Sequence, residues 1–245
     1  MAAPAGGHPT RGALDWRLQV FEALDSTQDT LLHLAEAGEP EGLVILARRQ
    51  LAGRGTQGRG WEGPAGNLAF SVLLRPKAPA RLLPQYGLLA AVALHEAASR
   101  HAPVRLKWPN DLLLGGAKCA GILAQAHVAA DGGIGWLVLG IGVNLAHAPE
   151  VPGRATAALG ALPPEAFAGE VLAALGRWLL RARLEGFAPV RQAWMAAGPA
   201  DGEWLSVRRG AVRLAGRYEG LAEDGGLLLA TGGRVHALHA GEVEG

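Results

Sequence analysis

Cysteine occurs once in this 245-residue chain, at Cys119. One thiol cannot close an intrachain disulfide or build a cysteine zinc cluster, and it suits a reducing, cytoplasmic setting. The eight histidines show no H-x-x-x-H or similar ligand spacing, so structural or surface roles are expected for them. An excess of one charge is also missing, since 23 Lys+Arg against 22 Asp+Glu leave +1. That balance removes any global electrostatic case for nucleic acid or membrane, so a basic site must be local. No apolar run reaches the roughly 18 residues that a membrane-spanning helix requires. The opening M-A-A-P-A-G-G-H-P-T lacks the basic-then-apolar layout of a secretory signal and reads as a loose tail over residues 1–14. What is present is an ordinary globular balance, 49% hydrophobic and 18% charged, long enough for a large domain with a small companion.

Patterning divides the chain in two. Trp16–Leu24 reads as a strand, and Ser26 of D-S-T-Q-D as the cap of a helix striped by Leu31, Leu32, Leu34 and Ala35. Buried strands follow at Gly42–Ala47 and in N-L-A-F-S-V-L-L-R-P, then an alanine-rich helix over Leu83–His101. Val104–Trp108, Asp111–Leu114, Lys118–Val128 and Ile134–Val143 read as strands, the last of them able to pair across a two-fold. Helices are expected near Glu165–Leu184 and Val190–Ala197. Beyond Gly202 four short strands with glycine turns indicate a small β-barrel. The expected organisation is therefore α/β (α+β), with a mixed sheet flanked by helices over 15–198 and a β-barrel over 199–245.

Between the first two buried strands lies L-A-G-R-G-T-Q-G-R-G-W, Leu51–Trp61, which contains G-x-G-x-x-G. A dinucleotide turn needs a helix directly after the glycines and an acid about 20 positions on. Instead R-G-W-E-G-P-A-G-N follows, which forbids a helical first turn, and nothing acidic occurs between Glu62 and Glu96. A P-loop is excluded too, for want of Gly-Lys-Ser/Thr. What remains is a long glycine-rich loop bearing Arg54, Arg59 and Trp61, suited to closing over an anion with backbone amides and guanidinium forks.

Downstream, R-L-K-W-P-N-D-L-L-L-G-G-A-K-C-A-G-I-L places Lys107, Asn110, Asp111 and Lys118 around one hairpin. An ammonium in so apolar a run as A-K-C-A-G-I-L asks for an anionic partner, or else snorkels from an edge strand. L-G-I-G-V-N puts Asn144 at the end of an apolar strand, where its amide reads a base edge or caps the turn. Ser71 and Ser99 lack a nucleophile-elbow context, and Cys119 reads as a small core residue.

Taken together and in this order, D-S-T-Q, G-R-G-T-Q-G-R-G-W, K-W-P-N-D, K-C-A-G-I-L and G-I-G-V-N resemble the biotin protein ligases. The resemblance runs from about Asp15 to Leu184. It implies a class II synthetase-like ligase domain with a C-terminal SH3-like barrel. It further implies that biotin and ATP, with Mg²⁺, give biotinyl-AMP, and that the biotin then passes to a lysine of a biotin carboxyl carrier protein of acetyl-CoA carboxylase or a related enzyme. Carried over residue by residue, Ser26, Thr27, Gln28 and Gln50 line the biotin head-group pocket. Gly53, Arg54, Gly55, Thr56, Trp61, Lys118 and Gly121 complete the biotin site. Arg54, Arg59, Trp61, Lys107, Asn110, Lys118 and Asn144 serve ATP. Lys118, Arg54 and Asp111 are the catalytic candidates, Asp111 as base, orienter or Mg²⁺ partner, with no metal ligand assigned. Thr56 stands where members of the family often carry a basic residue, so this loop's hold on an adenylate is expected to differ.

The chemistry suits these residue types, because a carboxylate must approach a polyphosphate and only positioned cations make that approach favourable. The enzyme alternative, a lipoate-protein ligase-like adenylating enzyme, lacks support from its R-R-x-S-G-G-G type of loop. Direct DNA binding is not expected, since about 15 residues precede the first strand and a helix-turn-helix domain needs more. A monomer and a homodimer both remain open.

Overall fold

In the computed structural model, which describes residues 14–244, apolar periodicity and tight turns organise two large sheets and a two-stranded one. Of the expected N-terminal tail, all but Leu14 lies outside the described residues. The chain runs β1 (Arg17–Phe21), α1 (Thr27–Glu36), β2 (Leu43–Ala47), β3 (Gln50–Arg54), β4 (Gly60–Gly63), β5 (Leu68–Leu74) and α2 (Leu83–Ala98). It continues through β6 (Val104–Lys107), β7 (Asp111–Leu114), β8 (Ala117–Val128), β9 (Ile134–Val143), α3 (Pro164–Glu185) and α4 (Ala188–Ala197). The C-terminal part comprises β10 (Trp204–Arg209), β11 (Val212–Leu221), β12 (Leu227–Thr231), β13 (Arg234–Leu238) and β14 (Glu242–Glu244).

The larger sheet has the order β1-β2-β5-β9-β8-β7-β6 and is mixed, because β1 and β2 run parallel and the remaining neighbours antiparallel. Alternation along β2 explains its unbroken apolar run. Leu43 and Ile45 join Leu31, Leu73 and Val138 beneath α1, while Val44 and Leu46 face the opposite core. That second core, under α2, α3 and α4, continues without a break into the C-terminal sheet through Leu205, Val207, Leu221, Leu227 and Leu229. Ser26 caps α1 as expected, accepting from the Asp29 amide at 3.2 Å.

Three expectations are corrected here. The glycine-rich stretch is a two-stranded hairpin, β3–β4, closed by a 3-10 turn over Thr56–Gly58. It is stitched to the β1–α1 connection by Leu51 N–H to Leu24 O and Ala52 N–H to Asp25 O, at 2.9 and 2.8 Å. The strand Ile134–Val143 cannot pair across a two-fold, since β5 and β8 occupy both of its edges. The C-terminal sheet has five strands, ordered β13-β12-β11-β10-β14, with Glu242–Glu244 as the extra one.

Candidate active site

A row of small residues crosses the middle of the larger sheet. Register sets Ala69 of β5, Gly142 of β9 and Gly121 of β8 side by side, with Asp111 of β7 next in line; Ser71, Gly140 and Leu123 form the adjacent row. Gly140 and Gly142 are two residues apart on a strand and so share a face, the one that α1 covers farther along at Val138. Over this floor the side chains of α1 and of the β3–β4 hairpin frame a cavity. The glycines are needed there. A methyl group on Gly142 would lie 2.4 Å from the Trp61 ring, and one on Gly140 2.5 Å from Gln28 Oε1.

One end of the cavity is a closed network of neutral groups. Gln50 Oε1 accepts from the Thr27 amide (2.9 Å) and from Thr27 Oγ (3.2 Å), and Thr27 Oγ lies 3.0 Å from Ser71 Oγ. Ser71 Oγ donates to Gln28 Oε1 at 3.1 Å, while Gln28 Nε2 donates to Gln125 Oε1 at 3.1 Å. Gln50 reaches Thr27 by folding back across its own hairpin. A methyl group on Gly53 would sit 2.1 Å from Gln50 Nε2, which explains the glycine at that step. Such amides and hydroxyls, held in fixed orientations, read a compact polar head group rather than a charge.

The other end carries an ion pair. Lys118 Nζ donates to Asp111 Oδ1 at 2.5 Å, and the two side chains retain only 14% and 9% of their exposure. Asp111 supplies the anionic partner that an ammonium in this apolar strand requires. The Lys118 Nζ also lies 5.6 Å from the centre of the Trp61 ring. Arg54 lines the cavity from β3, and Asp29 of α1 accepts from its Nη1 at 2.6 Å. Asn110 is fixed by donating from Nδ2 to Ile122 O at 2.7 Å, in the chain that follows the cis Trp108–Pro109 bond.

Eleven of the residues singled out from the sequence line this cavity: Ser26, Thr27, Gln28, Gln50, Arg54, Gly55, Thr56, Trp61, Asn110, Lys118 and Gly121. Five do not, and each has a physical reason. Gly53 lies beneath the folded Gln50. Asp111 stands behind Lys118. Arg59 turns away, donating from Nη1 to both carboxylate oxygens of Glu242 on β14 at 3.0 and 2.9 Å. Lys107 lies near Glu242, Arg154 and Asp111; burial pulls its pKa below the ordinary lysine value, Asp111 opposing. Asn144 donates from Nδ2 to Ala157 O at 3.2 Å, leaving its buried Oδ1 without a partner among the described residues.

Sequence reasoning missed Ser71, Gly140 and Gly142, and also Gln125, Arg154 and Glu242. The hydroxyl interrupting L-A-F-S-V-L-L and the period-two glycines of L-G-I-G-V were legible signals for the first three. Nothing local marks the others.

Comparison with known proteins places this geometry. Residues 20–144 match the Biotin/lipoate A/B protein ligase family. The chain is 38% identical over 234 residues to a biotin–[acetyl-CoA-carboxylase] ligase of Paracoccus denitrificans, covering 89% of this chain and 96% of that protein. It belongs to this family. Other members extend the likeness. The bifunctional ligase/repressor BirA of Bacillus subtilis is 30% identical over 235 residues, with 91% of this chain and 72% of that protein covered. A biotin protein ligase from Aquifex aeolicus, solved with biotin and ATP, superposes with a TM-score of 0.79 at 28% identity, covering 93% and 97% of the two chains. As in that family fold, a mixed sheet flanked by helices carries the cavity, and a β-rich unit closes the C-terminal end.

Proposed function

We propose that this chain activates biotin with ATP to biotinyl-AMP and transfers the biotin to a lysine of a carboxyl carrier protein. One observation carries the reading: a single cavity is lined both by a neutral network of Thr27, Gln28, Gln50 and Ser71 and by two basic side chains, Lys118 and Arg54, each held by a carboxylate. A cyclic urea with a carboxylate tail has that polarity. The ligases of Paracoccus denitrificans and Aquifex aeolicus support it.

In this reading the head group sits among Ser26, Thr27, Gln28 and Gln50, and the tail runs beside the Trp61 ring, which is seated on Gly142 and Gly121. Its carboxylate then lies between Arg54 and Lys118. A carboxylate oxygen bonds to the α-phosphorus as the bond to the departing pyrophosphate breaks. Lys118 and Arg54 bear the charge that accumulates in that step, and no enzyme nucleophile takes part. Asp111 acts as orienter of Lys118, a role that its 2.5 Å contact supports over that of base or Mg²⁺ partner. The carrier lysine's amine, deprotonated, next attacks the acyl carbon and AMP leaves.

Magnesium enters with the nucleotide as substrate. Among the described residues no cluster of three His, Cys, Asp or Glu forms a cage, which fits an ion held chiefly by phosphates. Residues 15–198 form the catalytic unit, and 199–245 the smaller unit that reaches it through β14. No described helix is long and apolar enough to cross a membrane.

With Mg-ATP, purified protein releases pyrophosphate only when biotin is added, and labels an apo carrier domain. Release triggered by lipoate and not by biotin refutes the substrate assignment in favour of the lipoate alternative.

A further inference from the structure

The 23 Lys+Arg residues of the chain include only three lysines, Lys77, Lys107 and Lys118. Guanidinium groups stay protonated, so these three are the side-chain amines that an activated acid could acylate. Lys77 is exposed, in the loop after β5. The other two converge on Asp111. Register makes Lys107 of β6 its partner on one side and Gly121 of β8 its partner on the other. The Lys118 side chain folds over Gly121, where a methyl group would lie 3.2 Å from Nζ. Its ammonium ends 2.5 Å from Asp111 Oδ1 and 5.6 Å from the centre of the Trp61 ring. Glu242, the other carboxylate near Lys107, is taken up by Arg59 of the hairpin and by Arg154 from the loop between β9 and α3. Asp111 is thus shared by both lysines.

That closeness carries a hazard. In the adenylation reading, on which the inference rests, a mixed anhydride forms with its acyl carbon beside Lys118. A neutral Lys118 would attack that carbon. An amide N–C bond forms, the bond from the acyl carbon to the phosphate oxygen breaks, AMP leaves with the electron pair, and the amine's proton passes to water. The product is an enzyme with biotin fixed to its own catalytic lysine. An ammonium has no lone pair with which to begin the attack. We propose that Asp111 protects the enzyme from its own intermediate, by holding Lys118 and Lys107 as ammonium ions that the anhydride cannot acylate. Burial works against the charged form of an amine. At Lys107 burial is the largest influence on the proton and Arg154 and Lys118 add to it, while Asp111 and Glu242 oppose them. Lys118 meets a carboxylate and an aromatic face, two surroundings that attract an ammonium. The contact that orients Lys118 for adenylation therefore also makes it inert in the second half-reaction, and leaves the acyl group to the carrier's lysine.

The test supplies synthetic biotinyl-AMP, without carrier, to wild type, Asp111→Asn and Asp111→Glu, and maps biotin on the three lysines by peptide mass spectrometry. Among the lysines, wild type takes biotin at Lys77 alone. Asp111→Asn takes it at Lys118 or Lys107 about tenfold faster than wild type or more, the gain in neutral amine for each unit by which a lysine's pKa falls. Asp111→Glu keeps the charge and behaves as wild type. In Asp111→Asn, labelling of Lys77 with Lys118 and Lys107 left bare overturns the proposal. So does wild type labelled at Lys118 as fast as at Lys77, or a Glu variant labelled at Lys118 as fast as the Asn variant. Where Asp111→Asn does not fold, nuclear magnetic resonance of wild type with isotope-labelled lysine decides. Three lysines give three side-chain signals, and those of Lys118 and Lys107 remain ammonium signals at about pH 8; a neutral Lys118 there overturns the protection. Wild type given biotin and Mg-ATP beside an apo carrier domain stands apart from these. An unlabelled carrier removes the adenylation reading, while the synthetic anhydride still judges Asp111.

Discussion

Replacing Lys118 and Asp111, singly and together, separates the catalytic from the structural work of their ion pair. Both groups are largely withdrawn from solvent, at 14% and 9% exposure. Lys118→Met leaves the Asp111 carboxylate without its partner, and breaking a buried pair in this way costs about 3–5 kcal/mol. For a chain of this size each kcal/mol moves the melting midpoint by about 2–4 °C, so a drop of roughly 6–20 °C is expected. The double variant Lys118→Met/Asp111→Asn leaves no orphan charge and recovers most of that loss. Adenylation behaves differently. In the proposed reaction the Lys118 ammonium stabilises charge only as the α-phosphorus is attacked, and removing one such donor costs about 10²–10³ in rate. Thermal unfolding, beside single-turnover pyrophosphate release with biotin, reads both quantities. The single variant is expected to be unstable and slow, the double variant stable and equally slow. A double variant that regains the wild-type rate refutes the argument, because Lys118 would then serve only to satisfy Asp111.

Further expectations follow from the same geometry. Gly142→Ala places a methyl group 2.4 Å from the Trp61 ring, against the ~3.5–4.0 Å of ordinary contact. The ring must withdraw, and acrylamide quenching measured as the difference from Trp61→Phe should rise; an unaltered difference counts against the seating of Trp61 on the floor. Thr56→Arg removes the hydroxyl that accepts from Arg59 Nη2 at 3.2 Å and adds a cation at the cavity, so release of biotinyl-AMP is expected to slow severalfold in a pulse-chase. Faster release argues that Thr56 matters only as a support for Arg59. Burial by itself would push the Glu242 carboxyl up, but Arg59, Arg154 and Lys107 outweigh it and hold it below the usual 4.5. A depressed carboxylate contributes stability that is complete above its unfolded value and is lost as pH falls through the folded one. The melting difference between wild type and Glu242→Gln should therefore be widest above about pH 5 and narrow as pH falls below 4.5; a constant difference contradicts it. Limited proteolysis should cut residues 51–66 more slowly with biotin and ATP bound, and equal cutting speaks against closure of the hairpin.

Elements whose residues carry their own pattern were legible in the sequence. Ser26 before an amphipathic run, the apolar runs of β2 and β5, and the alanine-rich α2 all appear within a few residues of their expected ends. Glycine-rich composition hid the hairpin, because strand propensity is low there and pairing of Gly53 with Trp61 and Arg54 with Gly60 decides the conformation. Three-residue β14 is too short to show alternation. Much of the site was legible because its side chains lie in contiguous motifs. The Glu242 contacts were not, since that residue lies 183 positions from Arg59 and 88 from Arg154. No local pattern encodes a meeting of that kind.

The row of glycines has an evolutionary consequence. Gly140 and Gly142 belong to a strand hydrogen-bonded along both edges, so the cavity floor cannot shift to admit a different acid. Arg59 and Arg154 lie on other segments, a two-stranded hairpin and a loop, and their shared partner Glu242 lies on the C-terminal sheet. Substitutions there can retune nucleotide handling without disturbing which acid is accepted. Selectivity and turnover are thus open to separate selection within one cavity.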